Sequence, residues 1–307
     1  MPNGSRIARA AAVAVAVETA LARTWSDLCE EFGTRAVRTA RDARLIESVL
    51  PGIYGSAGRC RDFAVRALAL TTLAGTDGRV TGLAAAHIWG ITDEPPARIT
   101  LQVPRQWHVK VPGWARLLRV PHDGQTYTWQ GVSVVGPADA VVQVWREAGP
   151  EVGAAIAIEA VRREIVTPAE LRDALKRRKQ MPKRAILAEL ISVAGAEVTS
   201  YLEWVAWREV FPPRLFPQLR WQVEIRASGR KRIMDAFDPD AMINLEFDGG
   251  GTHAGLEAFE SDRRRDSDMR GEGIEPLRLT YRDLTQRPEW CRQQYRELRA
   301  ARVTVLR

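Results

Sequence analysis

Cysteine and histidine are scarce in this chain, with three Cys and four His in 307 residues. Cys29, Cys60 and Cys291 are odd in number and far apart. That spacing argues against a disulfide framework and against a Cys-rich zinc site. The histidines are too scattered to complete such a site by spacing. A reducing cytoplasm is the compartment expected from this cysteine usage. Long apolar runs are also missing: none approaches the roughly 20 residues of a membrane span, so no membrane partner is expected. Arg6 and Arg9 precede an Ala/Val run from Ala10 to Val17 that mimics a weak secretory leader. The run is short and has no Leu or Phe, and it reads as an Ala-rich opening helix. Acidic residues are outnumbered, 38 against 45 Lys and Arg, which gives a net charge of +7. Such a balance favours polyanionic partners and decides nothing about fold. Hydrophobic residues make up 45%, enough for a packed core.

The fold class expected is α/β (α+β overall), in three regions. Residues 1–57 read as helix, helix, turn, basic helix and hairpin. Apolar helical spacing runs from Ile7 to Leu21. Ser26 opens a short helix over Asp27–Phe32, and Gly33-Thr34 turns the chain. The next helix, Arg35–Arg44, puts Ala36, Val37 and Ala40 on one face and Arg35, Arg38 and Arg41 largely on another. A hairpin follows through Pro51-Gly52. This is the order of a winged helix-turn-helix, in which the basic helix would enter a DNA groove. The alternative is a three-helix packing unit with a solvated arginine face.

Residues 58–198 read as a mixed α/β region. Helices are expected at Ala64–Ala74, Gly82–Gly90, Ala138–Ala148 and Gly153–Val161. Strands are expected at Ile99–Val103, Leu117–Val120 and Val132–Val135. His87 lies on an apolar helix, where a satisfied core histidine is the ordinary reading. The basic run from Arg162 to Arg184 fits a solvated helix face and phosphate tracking equally.

Residues 199–307 carry the clearest pattern, α-β-β-β-α-β-α. On the strand Met242–Asp248, Ile243, Leu245 and Phe247 alternate with Asn244, Glu246 and Asp248. A tight turn at Asp238–Asp240 would pair Asp235 near Asn244, leaving it a diagonal neighbour of Glu246. Two carboxylates crowded on one face repel, and a hard divalent cation is the natural compensation. His253 follows a glycine loop, and Arg278 alternates with Leu277 and Leu279 so as to point away from the core. Lewis acid, proton carrier and cationic clamp are the parts that phosphodiester hydrolysis needs.

Four segments carry a family resemblance. They are Arg232-Ile233-Met234-Asp235, Asn244-Leu245-Glu246-Phe247-Asp248-Gly249 with His253, Phe259-Glu260-Ser261-Asp262-Arg263-Arg264-Arg265, and Pro276-Leu277-Arg278-Leu279-Thr280-Tyr281-Arg282-Asp283. Together they resemble the very-short-patch-repair-like endonuclease domains of the PD-(D/E)XK superfamily, over residues 199–307. The N-terminal part more weakly resembles the winged-helix and core region of type IV abortive-infection antitoxins.

The resemblance implies a restriction-endonuclease-like α-β-β-β-α-β core and a Mg²⁺ or Mn²⁺ cofactor held by Asp235 and Glu246. Glu203 would be the acidic residue of the first core helix, His253 a proton-transfer group, and Arg263 and Arg278 phosphate contacts. Asp248 stands where the superfamily usually has lysine, a departure that puts activity in question. The zinc site of the repair enzymes has no counterpart, so mismatch specificity is not implied.

Plainer roles compete. Ser200 to Glu203 fits a capping box, Asp248-Gly249 fits a turn start, His253 fits an ordinary loop histidine, and the arginines at 263–265 alternate with acids as on a solvated face. The expected activity is DNA cleavage, with RNA as an alternative substrate and a homodimer as one candidate assembly. The competing expectation is an antitoxin-like regulator with an inactive nuclease fold.

Overall fold

The computed structural model describes residues 3–121, 124–227, 229–248, 269 and 271–305. It is a mixed α/β (α+β) structure with three sheets among the described residues. The chain divides into two compact units, Met1–Gly149 with Ala169–Met181, and Pro150–Pro168 with Pro182–Arg307.

The first unit opens with α1 (Asn3–Ala20), β1 (Ala22–Thr24), α2 (Trp25–Phe32), α3 (Thr34–Asp42), β2 (Ile46–Leu50) and β3 (Ile53–Ser56). Helix α1 is the Ala/Val run, and it buries Ala10, Val13 and Val17 at helical spacing. The α2 N-cap is Thr24, whose hydroxyl accepts the Asp27 amide. Ser26, expected to open this helix, lies inside it, because Thr24 is the last extended residue and can reach back to the open amide. Gly33 joins α2 to α3 at φ 81°, a conformation that favours glycine. The three strands form an antiparallel sheet in the order β1-β3-β2.

Next come α4 (Phe63–Ala74), β4 (Arg79–Thr81), α5 (Gly82–Ile88), β5 (Ile99–Val103), β6 (Ala115–Arg119), β7 (Thr126–Trp129) and β8 (Val132–Val135). Five strands make a mixed sheet in the order β6-β5-β4-β8-β7. Every residue of β5 is buried, and one apolar cluster runs from Ala22, Leu50 and Ile53 through α4 into this sheet. His87 sits against that core. Its ring meets Phe63 edge-on at 4.9 Å, and its Nδ1 lies 3.1 Å from the Thr92 carbonyl. Strands β1, β4 and β7 were not expected from sequence. They have three, three and four residues, too short for alternation to show.

Helix α6 (Pro137–Arg162) is interrupted at Gly149, φ 84° and ψ 178°, just ahead of Pro150. Helices α7 (Pro168–Arg177) and α8 (Arg184–Val193) follow. Much of the basic run is neutralised by ion pairs. Arg162 and Arg163 bind Glu159, Lys176 binds Asp173, and Arg177 and Arg178 share the buried Asp139.

The second unit holds α9 (Tyr201–Val205), which loosens into a π turn over Ala206–Val210, then β9 (Arg220–Ala227), β10 (Arg230–Asp238) and β11 (Ile243–Asp248). It ends with β12 (Glu275–Thr280), α10 (Tyr281–Gln286) and α11 (Pro288–Val305). The sheet order is β12-β11-β10-β9, antiparallel except for the parallel pair of β11 and β12. Ile243, Leu245 and Phe247 face the core with Leu279, Leu284 and Tyr295.

The turn between β10 and β11 is locked by Asp238. Its fully buried carboxylate accepts the amides of Asp240 and Ala241, the Tyr295 hydroxyl at 2.6 Å and Arg299 Nε at 2.8 Å. That lock sets the register of the two strands. All three cysteines are free. No helix among the described residues is long and apolar enough to cross a membrane.

Candidate functional site

The register between β10 and β11 differs from the expected one. Phe237, rather than Asp235, lies opposite Asn244, and Ala236 lies opposite Leu245. Continued by one residue, this sets Asp235 opposite Glu246 itself. The expected turn was too tight: the connection spans residues 239–242 and includes Met242 at φ 54°. The correction turns a diagonal relationship into a direct cross-strand one.

The ladder stops just at this pair. Beyond Ala236–Leu245, the Phe247 amide donates to Asp235 Oδ2 at 3.0 Å. A side-chain acceptor therefore stands in for the backbone carbonyl that would continue the ladder.

Glu246 is nearly fully buried, 6% exposed, and both of its oxygens have donors. Asn244 Nδ2 donates to Oε1 and Arg278 Nε donates to Oε2, each at 3.0 Å. Arg278 is placed there by the parallel pair, in which it faces Glu246 directly. The bonds also fix the orientation of the Asn244 amide, since its nitrogen must face the carboxylate. Asn244 is fully buried, and its Oδ1 has no hydrogen-bond partner among the described residues. A buried acceptor left so is costly and marks a place for a water or a cation.

Glu203, also buried, belongs to a second grouping. The Ser200 hydroxyl accepts the Glu203 amide at 3.1 Å, which is half of a capping box. The other half is not made as expected. The Glu203 carboxylate accepts the Thr199 amide at 2.6 Å and the Thr199 hydroxyl at 3.1 Å. Gln222 Nε2 donates to the same carboxylate at 2.8 Å.

Gln222 sits on β9 between Trp221 and Val223, which pair with Ala236 and Met234, so the register sets it opposite Asp235. Its φ is 51°, a left-handed conformation unusual for a residue with a Cβ. Sequence reasoning missed Gln222, because nothing in its neighbours marks a positive φ. It also gave Asn244 a face without a role, and only the burial of the strand shows that its carboxamide is held against Glu246.

Gln222, Asp235, Glu246 and Arg278 thus occupy one line across all four strands. Asp248 lies farther along β11, exposed, opposite Thr280. His253 and Arg263 lie outside the described residues. Among the described residues, no three His, Cys, Asp or Glu side chains converge as a metal-binding group.

In the first unit, Arg35 and Arg38 are exposed on α3 and form no ion pair among the described residues. Arg41 differs. It pairs with Asp42 at 3.0 Å and lies over the Trp25 ring at 5.6 Å. The Asp42 hydrogen bond raises its pKa above the ordinary arginine value. Arg41 is thereby tied to its own unit.

No protein-family model matches this chain, and no curated protein matches it. A solved structure, the RV2827C protein from Mycobacterium tuberculosis, is similar at 16% identity with a TM-score of 0.45. That match covers 64% of this chain and 78% of the other. A likeness at this level fixes neither fold family nor activity.

Proposed function

We propose that this protein is a DNA-binding, divalent-metal-dependent endonuclease, with its active site on the four-stranded sheet of the second unit. The observation that carries the reading is the cross-strand placement of Asp235 and Glu246, with Arg278 bonded to Glu246 and Gln222 linking the line to Glu203. The element order from α9 to β12 and the sheet order β12-β11-β10-β9 support a PD-(D/E)XK core, as the resemblance in the strand motifs implies.

The donor set fits a hard cation. Two carboxylates and the unpartnered Asn244 Oδ1 are oxygens, with no thiolate near, which suits Mg²⁺ or Mn²⁺ over zinc or copper. Asp235 and Glu246 would hold the ion, and Asn244 orients Glu246 toward it. When bound, the ion supplies Lewis acidity and a more acidic water. Arg278 counters the charge of Glu246 at rest and can turn to a phosphate oxygen, a contact that suits its planar fork of donors. Glu203, through Gln222, keeps the β9 side of the line polar and ordered.

The first unit supports a DNA-binding role. The order α1-β1-α2-α3-β2-β3, with a β1-β3-β2 sheet, supports a winged helix-turn-helix reading, in which Arg35 and Arg38 would face the groove. The test is cleavage of plasmid, single-stranded DNA and RNA with Mg²⁺ or Mn²⁺ against EDTA. Metal-dependent cutting is the expected result.

A second reading is favoured by one residue. Asp248 stands exposed at the end of β11, where the resembled superfamily usually has lysine. A regulator with a silent nuclease fold would bind DNA in EDTA, never cut it, and bind equally well as Asp235→Ala.

A further inference from the structure

One stretch of the first unit is basic without any acidic residue in it. Between Glu94 and Asp123 there is no acidic residue, and this stretch carries Arg98, Arg105, Lys110, Arg116 and Arg119. The stretch therefore carries a formal charge of +5. Several basic residues elsewhere are paired with acids, as in Arg59 with Asp62, Arg162 with Glu159 and Lys176 with Asp173.

The fold makes this stretch a surface. It builds β5, the crossover loop over residues 104–114, and β6, which is an edge strand of the five-stranded sheet. All five cations are exposed, and none forms an ion pair among the described residues. Two are already ordered by the backbone: Arg98 Nε donates to the Gly113 carbonyl and Arg119 Nε to the Trp107 carbonyl, both at 2.9 Å. Ordering long side chains in advance lowers the entropy lost when a ligand engages them.

The aromatic residues of the loop serve a different purpose. Trp107 and Trp114 are partly buried and pack against the apolar core beneath the sheet. Arg66 on α4 lies over the Trp114 ring at 4.8 Å, adding a further cation behind the loop. Rings pinned in this way anchor the loop, and the charged groups are what remain for a partner.

We propose that this edge is a second nucleic-acid-binding surface, separate from α3, that grips the phosphate backbone without reading sequence. Charge complementarity favours this partner. Exposed cations that form no ion pair among the described residues, gathered on an edge strand and its connecting loop, are what a polyphosphate chain neutralises, and the release of its counterions drives the association. Stacking on the bases is not required, so duplex and single strand share the chemistry. The inference does not rest on nuclease activity.

Cations on an edge strand also prevent edge-to-edge pairing between copies, and the test must separate that effect. The experiment measures binding of the full chain, in EDTA, to a fluorescent mixed-sequence DNA duplex, to a single-stranded RNA and to phosphatidylserine vesicles, across a salt series. The variants are Arg105→Ala/Lys110→Ala/Arg116→Ala and the charge-keeping Arg105→Lys/Arg116→Lys. Both are made in the natural chain and in an Arg35→Ala/Arg38→Ala background, which removes the α3 contribution. Arg105→Glu, a single change in the exposed loop, replaces the triple variant if that fails to fold.

The expected result is at least about tenfold weaker binding by the triple variant in both backgrounds. The slope of log affinity against log salt should fall by roughly two to three, and the lysine variant should behave like the parent. The arm with the larger loss, duplex DNA or RNA, identifies the polymer. Binding within twofold of the parent, with the slope unchanged, overturns the proposal. Unchanged binding with new self-association in sedimentation also overturns it, in favour of edge protection. Loss of binding to phosphatidylserine vesicles with none to nucleic acid overturns it in favour of a membrane surface.

Discussion

Arg278 and Glu246 face each other across the parallel pair of the C-terminal sheet, and Arg278 Nε donates to Glu246 Oε2 at 3.0 Å. The guanidinium is 37% exposed and the carboxylate 8%, so the pair links a buried acid to solvent. Replacing Arg278 by Ala removes a donor from a buried carboxylate, a loss of about 1–3 kcal/mol. Thermal unfolding should register that loss. If Arg278 also meets phosphate, cleavage should fall by about 10²- to 10³-fold, and Arg278→Lys should recover stability better than rate, since it keeps charge without the fork. A rate unchanged in Arg278→Ala removes the phosphate role and leaves a structural ion pair.

Gln222 tests whether the line extends to β9. Gln222→Ala deletes the bond to Glu203 and keeps the backbone strain, while Gln222→Gly deletes the bond and relieves the strain. The glycine variant should be the more stable of the two by about 1 kcal/mol, the usual cost of a left-handed residue with a Cβ. Both should lose cleavage to the same degree. Equal stability would mean that the positive φ costs nothing, and full activity in both would place Glu203 outside the reaction.

Asp238 governs the register on which the site depends. Asp238→Ala removes the acceptor shared by Tyr295, Arg299 and two turn amides, and should cost about 3 kcal/mol. Tyr295→Phe removes one donor and should cost about 1–2 kcal/mol. Chemical denaturation of the two variants measures both. Equal, small effects would show that the register is held by the strands alone.

The C-terminal helices should report on pH through Asp283. Its carboxylate accepts the Thr280 hydroxyl at 2.6 Å and the Thr280 amide at 3.0 Å, completing a capping box, and Arg287 pairs with it. The Thr280 bonds, with Arg287 adding, hold its pKa below the ordinary 3.8. A depressed folded-state pKa gives stability that is present above the unfolded value and lost as pH falls through the folded one. Between pH 5 and pH 2, therefore, the stability of Asp283→Asn should fall less steeply than that of the parent. Parallel acid limbs would show that this carboxylate is not linked to folding.

Much of the C-terminal sheet was legible because its strands alternate plainly. Ile243, Leu245 and Phe247 could only face a core, which put Asn244 and Glu246 on the other side. The alternation of Arg278 with Leu277 and Leu279 likewise pointed it away from the core, and the parallel register then sets it opposite Glu246. What sequence missed is local geometry. The position of Asp235 hung on the length of one turn, and a slip of two residues separates a diagonal neighbour from a direct one. Gln222 adopts its positive φ in a stretch, Trp221 to Val223, that reads as ordinary strand. In the first unit the arginine face of α3 was readable from helical spacing, but the seating of Arg41 over the Trp25 ring depends on how α2 folds back. The three-residue strands β1 and β4 exist because neighbouring strands supply partners, which a sequence window does not contain.

One metal-dependent catalytic centre built on Asp235 and Glu246 is the core of the proposed function. The most direct measurement is DNA cleavage with Mg²⁺ or Mn²⁺ by the parent, Asp235→Ala and Glu246→Ala, with duplex binding measured on the same preparations in EDTA. The expected result is cutting by the parent, a loss of at least about 10²-fold in each variant, and duplex affinity within a few-fold throughout. A parent that binds duplex with strong salt dependence and cuts no substrate, or variants that cut at the parental rate, would contradict it.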